Sequence, residues 1–199
     1  MIEKLRIRVS QVFVVFLILM IGVSESAWEE RAPLVGIFLF LAGAMLAGVA
    51  SLGRLWCSLY IAGYKTDRLI TKGPYSMCRN PLYFFSLIGG LGVGLASETL
   101  FIPALIFVAF ALYYPFVIKS EEAELRELHK EQFDMYRESV PSFFPNVFKL
   151  KEPEEYVVKP VIFKKHMFDA LWFIWLLGIL EIIEGLHEMK VLPKIFTFF

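Results

Sequence analysis

Apolar runs long enough to cross a lipid bilayer are the feature that most constrains how this chain can fold. Five such runs lie at about 9–24, 33–52, 81–97, 100–118 and 168–186. A membrane-spanning helix needs roughly 20 apolar residues, and each run is close to that length. Of all residues, 57% are hydrophobic and 20% are charged, whereas a typical soluble domain has about 25% charge. The sequence therefore predicts an all-α integral membrane bundle of about five transmembrane helices.

The first run allows a second interpretation. Basic residues at positions 4, 6 and 8 precede it, and residues 24–27 resemble a cleavage site, which together are typical of a secretory signal peptide. The chain continues directly into further apolar runs rather than into a secreted domain. We therefore expect the first run to be kept as a transmembrane helix.

Two features predict how these helices pack. Ala44 and Gly48 are four residues apart in the second run, and small residues at this spacing let two helix backbones approach closely in lipid. Pro115 stands near the end of the fourth run. Because proline removes a backbone hydrogen bond and its ring clashes with the preceding turn, we expect a kink there.

The basic residues are distributed very unevenly between the two sides of the predicted bundle. All but three of the 20 Lys and Arg residues fall on one side, and the exceptions are Arg31, Lys190 and Lys194. Loops rich in Lys and Arg stay in the cytoplasm. The distribution predicts a cytoplasmic N-terminus and an external C-terminus, with segments 53–80 and 119–167 both in the cytoplasm. A formal net charge of zero argues against nucleic acid as a partner.

The second cytoplasmic segment has the periodicity of an amphipathic helix at about 119–138, continuous or nearly so with the fourth run. Residues three or four apart share one face of a helix. The predicted apolar face carries Leu125, Leu128, Gln132 and Met135, and we expect it to pack on the membrane surface or over the first cytoplasmic segment. Glu121 lies one turn before Leu125 on that face, and Glu122 is expected to form an outward ion pair with Arg126.

The first cytoplasmic segment contains a turn that leads into the third apolar run. Gly73-Pro74 favours a tight turn, because glycine tolerates positive φ and proline fixes its own φ. Asn80-Pro81 predicts the start of a helix, since Asn is a strong N-cap and Pro suits the first helical position. Arg79 stands just before this start. Its guanidinium could meet a carboxylate of the 119–138 helix on the same membrane face.

The two cytoplasmic segments together carry a recognisable pattern. It consists of Gly73-Pro74-Tyr75-x3-Arg79-Asn80-Pro81-x-Tyr83, then Glu121-Glu122-x2-Leu125-x7-Phe133-x2-Tyr136, and finally Val140-Pro141. Over about residues 50–146 the sequence resembles the isoprenylcysteine carboxyl methyltransferase family and the related phospholipid methyltransferases. The resemblance implies a membrane-embedded enzyme that uses S-adenosylmethionine and lacks the soluble domain of most methyltransferases.

The resemblance also implies which residues form the site. Carried over by position, the cofactor-binding residues are Asp67, Arg68, Leu69, Ile70, Tyr75, Asn80, Pro81, Leu82, Tyr83 and Glu121. The implied catalytic residues are Arg79 and Glu121, with Glu122 as the alternative if the helix is rotated. The sequence departs from the family's pattern at four positions. These are Asn80 in place of His, Lys130 in place of Gly, Phe133 in place of Tyr, and Val117 in place of the Arg that engages the prenylcysteine carboxylate.

The implied activity is methyl transfer to a lipophilic small molecule or lipid at the cytoplasmic membrane face, for example O-methylation of a prenylcysteine-like carboxylate. Transfer from a sulfonium to an anion depends mostly on positioning. An alternative is N-methylation of a phospholipid amine, for which Glu121 or Glu122 would supply a base. Two alternatives from other classes are a non-catalytic membrane scaffold and a small transporter.

A second group of ionisable side chains lies at the end of the fifth run and comprises Glu181, Glu184, His187 and Glu188. Acids inside a membrane often have a function, and Glu184-x-x-His187 has metal-ligand spacing. The outer interface begins near Glu184, however, so polarity at the helix end is the favoured interpretation and no metal site is predicted. Cys57 and Cys78 are expected to be free thiols. We divide the chain into a membrane core, 1–148, and a linker with the fifth helix, 149–199.

Overall fold

The structure is a computed structural model that describes residues 2–64 and 68–199. Asp67, one of the expected cofactor-binding residues, lies outside the described residues. The α-helices of the described chain are α1 (Ile2–Gly22), α2 (Ala27–Arg31), α3 (Pro33–Ile61), α4 (Pro74–Met77), α5 (Pro81–Ala96), α6 (Phe101–Ser139), α7 (Pro160–Ala170) and α8 (Trp172–Glu188). Two short strands, β1 (Ser24–Ser26) and β2 (Phe196–Phe198), and a 3-10 helix at Val147–Lys149 complete the structure. The predicted all-α class is confirmed.

Three helical stretches are long and apolar enough to cross a membrane, namely Pro33–Ile61, Phe101–Ser139 and Pro160–Glu188. Two shorter apolar helices, Arg8–Gly22 and Pro81–Ala96, coincide with the first and third predicted runs. The protein is therefore an integral membrane protein. The total of five spans and the orientation of the termini stay predictions.

Two element boundaries differ from those expected. Helix α3 does not end near residue 52 but continues to Ile61, because its Arg54 side chain is accommodated inside the second unit described below. Arg54 Nη1 donates to Ser86 Oγ at 2.5 Å, and the guanidinium carbon lies 5.8 Å from the centre of the Phe173 ring. Helix α7 begins at Pro160, earlier than the predicted start at 168, which shortens the predicted linker.

Helix α6 joins the fourth apolar run to the amphipathic segment in one element of 39 residues, as the sequence predicts. The backbone leaves helical dihedrals at Lys130, where φ is 45° and ψ is −120°, and not at Pro115. Positive φ is uncommon for a residue with a side chain. The chain direction and helical phase therefore change at Lys130.

This break decides which side chains of α6 are buried. Phe133 is 1% exposed and Tyr136 is 6% exposed, whereas Leu128 and Met135 are 52% and 65% exposed. Leu128 and Met135 of the predicted apolar face therefore do not pack against the rest of the described chain, and packing of this face on the membrane surface stays a prediction. Leu125 does pack against the cluster around Phe133.

The chain divides into two compact units, which are described separately. The first comprises Met1–Ala47, Gly90–Ala109 and Ile174–Phe199, and the second comprises Gly48–Gly89 and Phe110–Phe173.

In the first unit, glycine allows two helix backbones to touch. A Cβ atom on Gly43 would overlap backbone atoms of Gly92 and Ala96, which is the close approach that small residues permit in membrane helices. The sequence placed this contact at Ala44 and Gly48, but a Cβ on Gly48 would have nothing within 4 Å. The same unit holds the parallel pairing of β1 with β2.

In the second unit, two clusters of buried side chains surround the turn that precedes α5. One cluster contains Cys57, Tyr60 and Tyr75, and the other contains Phe133, Tyr136 and Val140. The Tyr136 hydroxyl donates to the Tyr75 carbonyl at 2.6 Å and links them. The turn and the amphipathic part of α6 are thus parts of one packed body.

Candidate functional site

The turn at Gly73 is fixed by its backbone and by a neighbouring strand-like contact. Gly73 has φ of 59°, and a Cβ atom there would overlap the Tyr60 ring, so both conformation and space require glycine. The Gly73 carbonyl accepts from Ser76 Oγ at 2.6 Å. Gly73 N–H donates to the Lys151 carbonyl at 2.9 Å, and Lys151 N–H donates to Ser76 Oγ at 2.8 Å. The four residues of α4 that follow are all buried.

Arg79 holds the carboxylate of Glu122 with two parallel hydrogen bonds. Arg79 Nε donates to Oε1 at 2.9 Å and Nη2 donates to Oε2 at 3.0 Å. Arg79 Nη1 donates to the carbonyls of Val140 at 2.6 Å and Arg137 at 3.1 Å. The side chains of Arg79 and Glu122 are 9% and 17% exposed. A bidentate pair of this kind combines strength with a defined orientation.

Asn80 and Ser142 complete the network around the same carboxylate. Glu122 Oε1 also accepts from Asn80 Nδ2 at 2.9 Å and from Ser142 Oγ at 3.0 Å. The backbone N–H groups of Arg79 and Asn80 donate to the carbonyls of Pro141 and Ser142. Helix α5 begins at Pro81, as the sequence predicts, but the Asn80 amide group binds across to Glu122 and Ser142. Both sequence segments of the predicted site are therefore joined at one carboxylate.

The Glu122 carboxyl lies beyond the apolar part of α6. Burial alone would raise its pKa, but hydrogen bonds from Arg79, the charge of Arg79, and hydrogen bonds from Ser142 and Asn80 together lower the pKa below its usual value. Glu122 is therefore ionised at neutral pH. The expected outward pair between Glu122 and Arg126 is not formed, because Glu122 faces Arg79 and Arg126 binds Asp134 with 3.0 Å between Nε and Oδ1.

Glu121 is the acid next to Glu122 and contributes to the electrostatics around Tyr75. It is partly buried, and its charge is one of the causes that raise the pKa of Tyr75. Burial raises the pKa of Tyr75 well above its usual value, and Cys57, Tyr136 and Glu121 reinforce that rise. The sequence placed Glu121 opposite Arg79 with Glu122 as the alternative. In the structure it is Glu122 that contacts Arg79.

Four buried polar atoms of this unit have no hydrogen-bond partner among the described residues, namely Ser51 Oγ, Arg54 Nε, Tyr75 Oη and His129 Nε2. Tyr75 packs against Cys57, and Cys57 lies one helical turn from Arg54 on the same face of α3. Within the described chain no carboxylate lies within ion-pair distance of Arg54. Because buried polar atoms normally have partners, Tyr75 and Arg54 are candidate ligand-binding residues. Arg54 was not among the residues expected at the site, although a charge inside an apolar helix is a usable signal.

The residues expected to bind a cofactor before the turn are spread over the two clusters. Leu69 packs against the Phe133 cluster, and Ile70 packs against the Tyr75 cluster. Arg68 is exposed, with its guanidinium carbon 5.2 Å from the centre of the Tyr64 ring.

The expected residues at the start of α5 lie beside the turn. Pro81 is fully buried, and Leu82 packs against the Tyr75 cluster. The Tyr83 ring meets Tyr114 edge to face, with 5.2 Å between centroids. Val117 is 5% exposed, so the position where the resembling family has an Arg is apolar and closed.

The acids at the end of α8 belong to the first unit and form a separate group. Glu184 lines a cavity together with Glu98 and Lys194, and Lys194 Nζ binds Glu29 at 3.0 Å. His187 Nε2 lies 3.0 Å from the Gly22 carbonyl oxygen. Across the described residues, no group of three or more His, Cys, Asp or Glu side chains is placed to hold a metal ion.

Comparison with known proteins decides the family. Residues 32–132 match the sequence profile described as phospholipid methyltransferase. The chain belongs to the phospholipid methyltransferase family. This confirms the resemblance found in the paired motifs, since the matched region contains both the turn and Glu122. No solved structure matches the chain.

Two curated proteins are similar to this chain over nearly its whole length. The "Cobalt-zinc-cadmium resistance protein CzcN" of Cupriavidus metallidurans is 36% identical over 96% of this chain and 88% of its own length. The "Nickel-cobalt-cadmium resistance protein NccN" of Alcaligenes xylosoxydans xylosoxydans is 34% identical over 94% of this chain and 87% of its own length.

Proposed function

We propose that the protein is a membrane methyltransferase that uses S-adenosylmethionine and methylates a lipophilic acceptor at the cytoplasmic membrane face. The observation that carries this proposal is the arrangement around Tyr75. The Arg79–Glu122 pair locks the turn against α6, while the nearby Tyr75 Oη and Arg54 Nε atoms are buried without partners. A rigid frame beside unpaired buried donors suits a small ligand with several polar groups.

The residues present fit S-adenosylmethionine. Arg54 would bind its carboxylate, and Tyr75 would hydrogen-bond one of its polar groups. Glu121 would accept from its ammonium or ribose hydroxyl groups, while Ile70 and Leu82 would pack against its adenine ring. When bound, S-adenosylmethionine supplies an electrophilic methyl group on a sulfonium sulfur.

The chain's own contribution is mainly positioning. In-line transfer gains from a fixed alignment of the reacting groups, and the bidentate contact makes Arg79 a positioning residue rather than one that touches substrate. An amine acceptor must lose a proton, and Glu121 is the carboxylate of the pair that Arg79 does not hold, so we assign it as the base.

One observation bears on the class of acceptor. Val117 is apolar and buried where a cation would hold a prenylcysteine carboxylate, which favours an amine-bearing phospholipid. The family to which the chain belongs supports the amine-bearing lipid as the first choice.

The names of the curated relatives suggest a physiological setting. We infer that methylation by this protein contributes to tolerance of divalent metals such as cobalt, zinc or cadmium. The proposal does not require the chain to bind the metal. A host lacking the gene should regain tolerance with the wild-type protein but not with the Tyr75→Phe variant, whereas equal rescue by both would contradict this role.

The proposed activity is tested with purified protein in lipid nanodiscs. Wild-type protein should bind S-adenosylmethionine in calorimetry and transfer a labelled methyl group into a membrane lipid extract. Glu121→Gln should lower transfer at least about 100-fold, the usual contribution of a general base. Glu124→Gln changes an exposed acid on the same helix and should retain transfer. Absence of binding by the wild-type protein would favour a non-catalytic scaffold.

A further inference from the structure

The segment that follows α6 presents apolar side chains to its surroundings. Phe144 is 76% exposed, Val147 is 63% exposed and Phe148 is 96% exposed. Single exposed apolar residues are common, but a contiguous exposed group marks an interaction surface. We call these three residues the apolar loop patch.

The patch sits on a backbone that is held in place. Asn146 N–H donates to the Met77 carbonyl at 3.0 Å, and Asn146 Oδ1 accepts from Phe148 N–H at 3.1 Å. Further along, Lys151 N–H donates to Ser76 Oγ. The exposed side chains are therefore presented by an ordered segment whose hydrogen bonds run directly to the turn of the candidate site.

The surface next to this patch is also apolar. Phe143 packs its ring against Phe84 and Phe110, with 5.9 Å and 5.7 Å between centroids. These two residues belong to the apolar helices α5 and α6. Leu112 and Phe116 of α6 are also 68% and 72% exposed, as expected of a helix that faces lipid. The patch therefore continues the apolar surface of membrane helices.

The charges beside the patch favour a phospholipid surface. Lys149 and Lys151 are exposed, and residues 139–151 contain no acid. Lys149 Nζ donates to the Ser139 carbonyl at 2.6 Å. Aromatic residues flanked by lysine are typical of the membrane–water interface, and lysines there are attracted to anionic headgroups.

We propose that residues 143–151 form an interfacial anchor, in which the apolar loop patch enters the boundary between headgroups and acyl chains. The lysines then lie at the level of the phosphates. Because the same segment is hydrogen-bonded to Ser76 and Met77, the anchor sets the depth of the turn at the headgroup level. Lipid acceptors whose reacting group lies in the headgroup would thus reach the site without leaving the bilayer.

The test uses full-length protein in nanodiscs with a fluorophore sensitive to polarity at position 148. The variant Phe148→Cys is labelled with a thiol-reactive dye, and background labelling is low because Cys57 and Cys78 are buried. Glu154→Cys, which replaces an exposed acid outside the anchor, is the matched control. Both variants must show the thermal transition of the wild-type protein.

The anchor predicts a blue-shifted emission at position 148 that a lipid-attached quencher suppresses. Aqueous iodide should quench this position several-fold less than position 154. Equal iodide quenching at the two positions would overturn the proposal. Blue-shifted emission that the lipid-attached quencher does not affect, and that disappears in nanodiscs holding one protein copy, would also overturn it and identify a second copy as the occupant.

Discussion

The Arg79–Glu122 pair allows a sharp test of how the two motif segments are held together. We predict that Glu122→Ala destabilises the protein more than any other single change in this network. The substitution leaves the Arg79 guanidinium, only 9% exposed, without its carboxylate. It also removes the acceptor for Asn80 Nδ2 and Ser142 Oγ.

The expected size follows from burial and from the number of contacts. Removing one partner of a buried ion pair costs about 3–5 kcal/mol. Because Glu122 is 17% exposed, water can partly reach the vacated space, so we expect about 3 kcal/mol. Arg79→Ala should cost about 2 kcal/mol, since Asn80 and Ser142 still satisfy the carboxylate that remains.

The assay is reversible unfolding of the purified protein by SDS titration in mixed micelles, followed by circular dichroism. The stability loss of the double variant should be about 2 kcal/mol smaller than the sum of the losses of the two single variants. Residues in direct contact have interaction energies of about 0.5–3 kcal/mol. The conservative variant Arg79→Lys should lose part of the stability that Arg79→Ala loses, because lysine cannot form the bidentate contact.

The pH dependence gives an independent measure of the same pair. The folded-state pKa of Glu122 lies below its ordinary value of 4.5, so its contribution is fully present above that value and is lost as pH falls through the lowered pKa. Glu122→Gln should abolish this component. Additive single effects, or an unchanged acid transition in Glu122→Gln, would refute the assignment of the pair as the clamp between the segments.

Three further predictions concern single positions in the same unit. Tyr75→Phe should leave stability unchanged or raise it by about 1 kcal/mol, because the buried hydroxyl has no partner, yet it should weaken S-adenosylmethionine binding in calorimetry. Lys130→Gly should stabilise the protein by about 1 kcal/mol, because glycine adopts positive φ without strain. The control Glu127→Gly, in regular helix, should destabilise it by about 1 kcal/mol. Both changes are measured by SDS unfolding. Burial raises the pKa of Cys78 to about 12, so mass spectrometry after maleimide treatment at neutral pH should find it modified only in unfolded protein.

The helix positions were predictable because apolar runs and start signals act locally. The sequence placed the start of α5 at Pro81, and the apolar part of α6, close to where they lie. It ended α3 too early, since a charge at Arg54 normally ends a membrane span. In the fold, Ser86 and the Phe173 ring accommodate that charge, and only tertiary packing provides such partners.

The sequence carries a signal for the break in α6. Lys130 stands where the resembling family has glycine, and its φ of 45° lies in the region that glycine adopts without penalty. A glycine in that position of the pattern implies a special backbone conformation. As one regular helix, the segment would carry Leu128 and Met135 on the same face as Phe133's neighbour Leu125, whereas in the structure both are exposed.

The phase of α6 also decides the roles of its two adjacent acids. Neighbouring residues of a helix point about 100° apart, so only one of the two acids can face Arg79. The periodicity of the sequence alone does not show which of the two it is. The structure provides that reference through Asn80 and Ser142, which converge on Glu122. Because Glu122 is committed to holding the two segments together, Glu121 is the acid of this pair that we propose as a base or a cofactor contact. Variants of Glu122 should therefore lose stability and activity together, whereas Glu121→Gln should lose a larger share of its activity than of its stability.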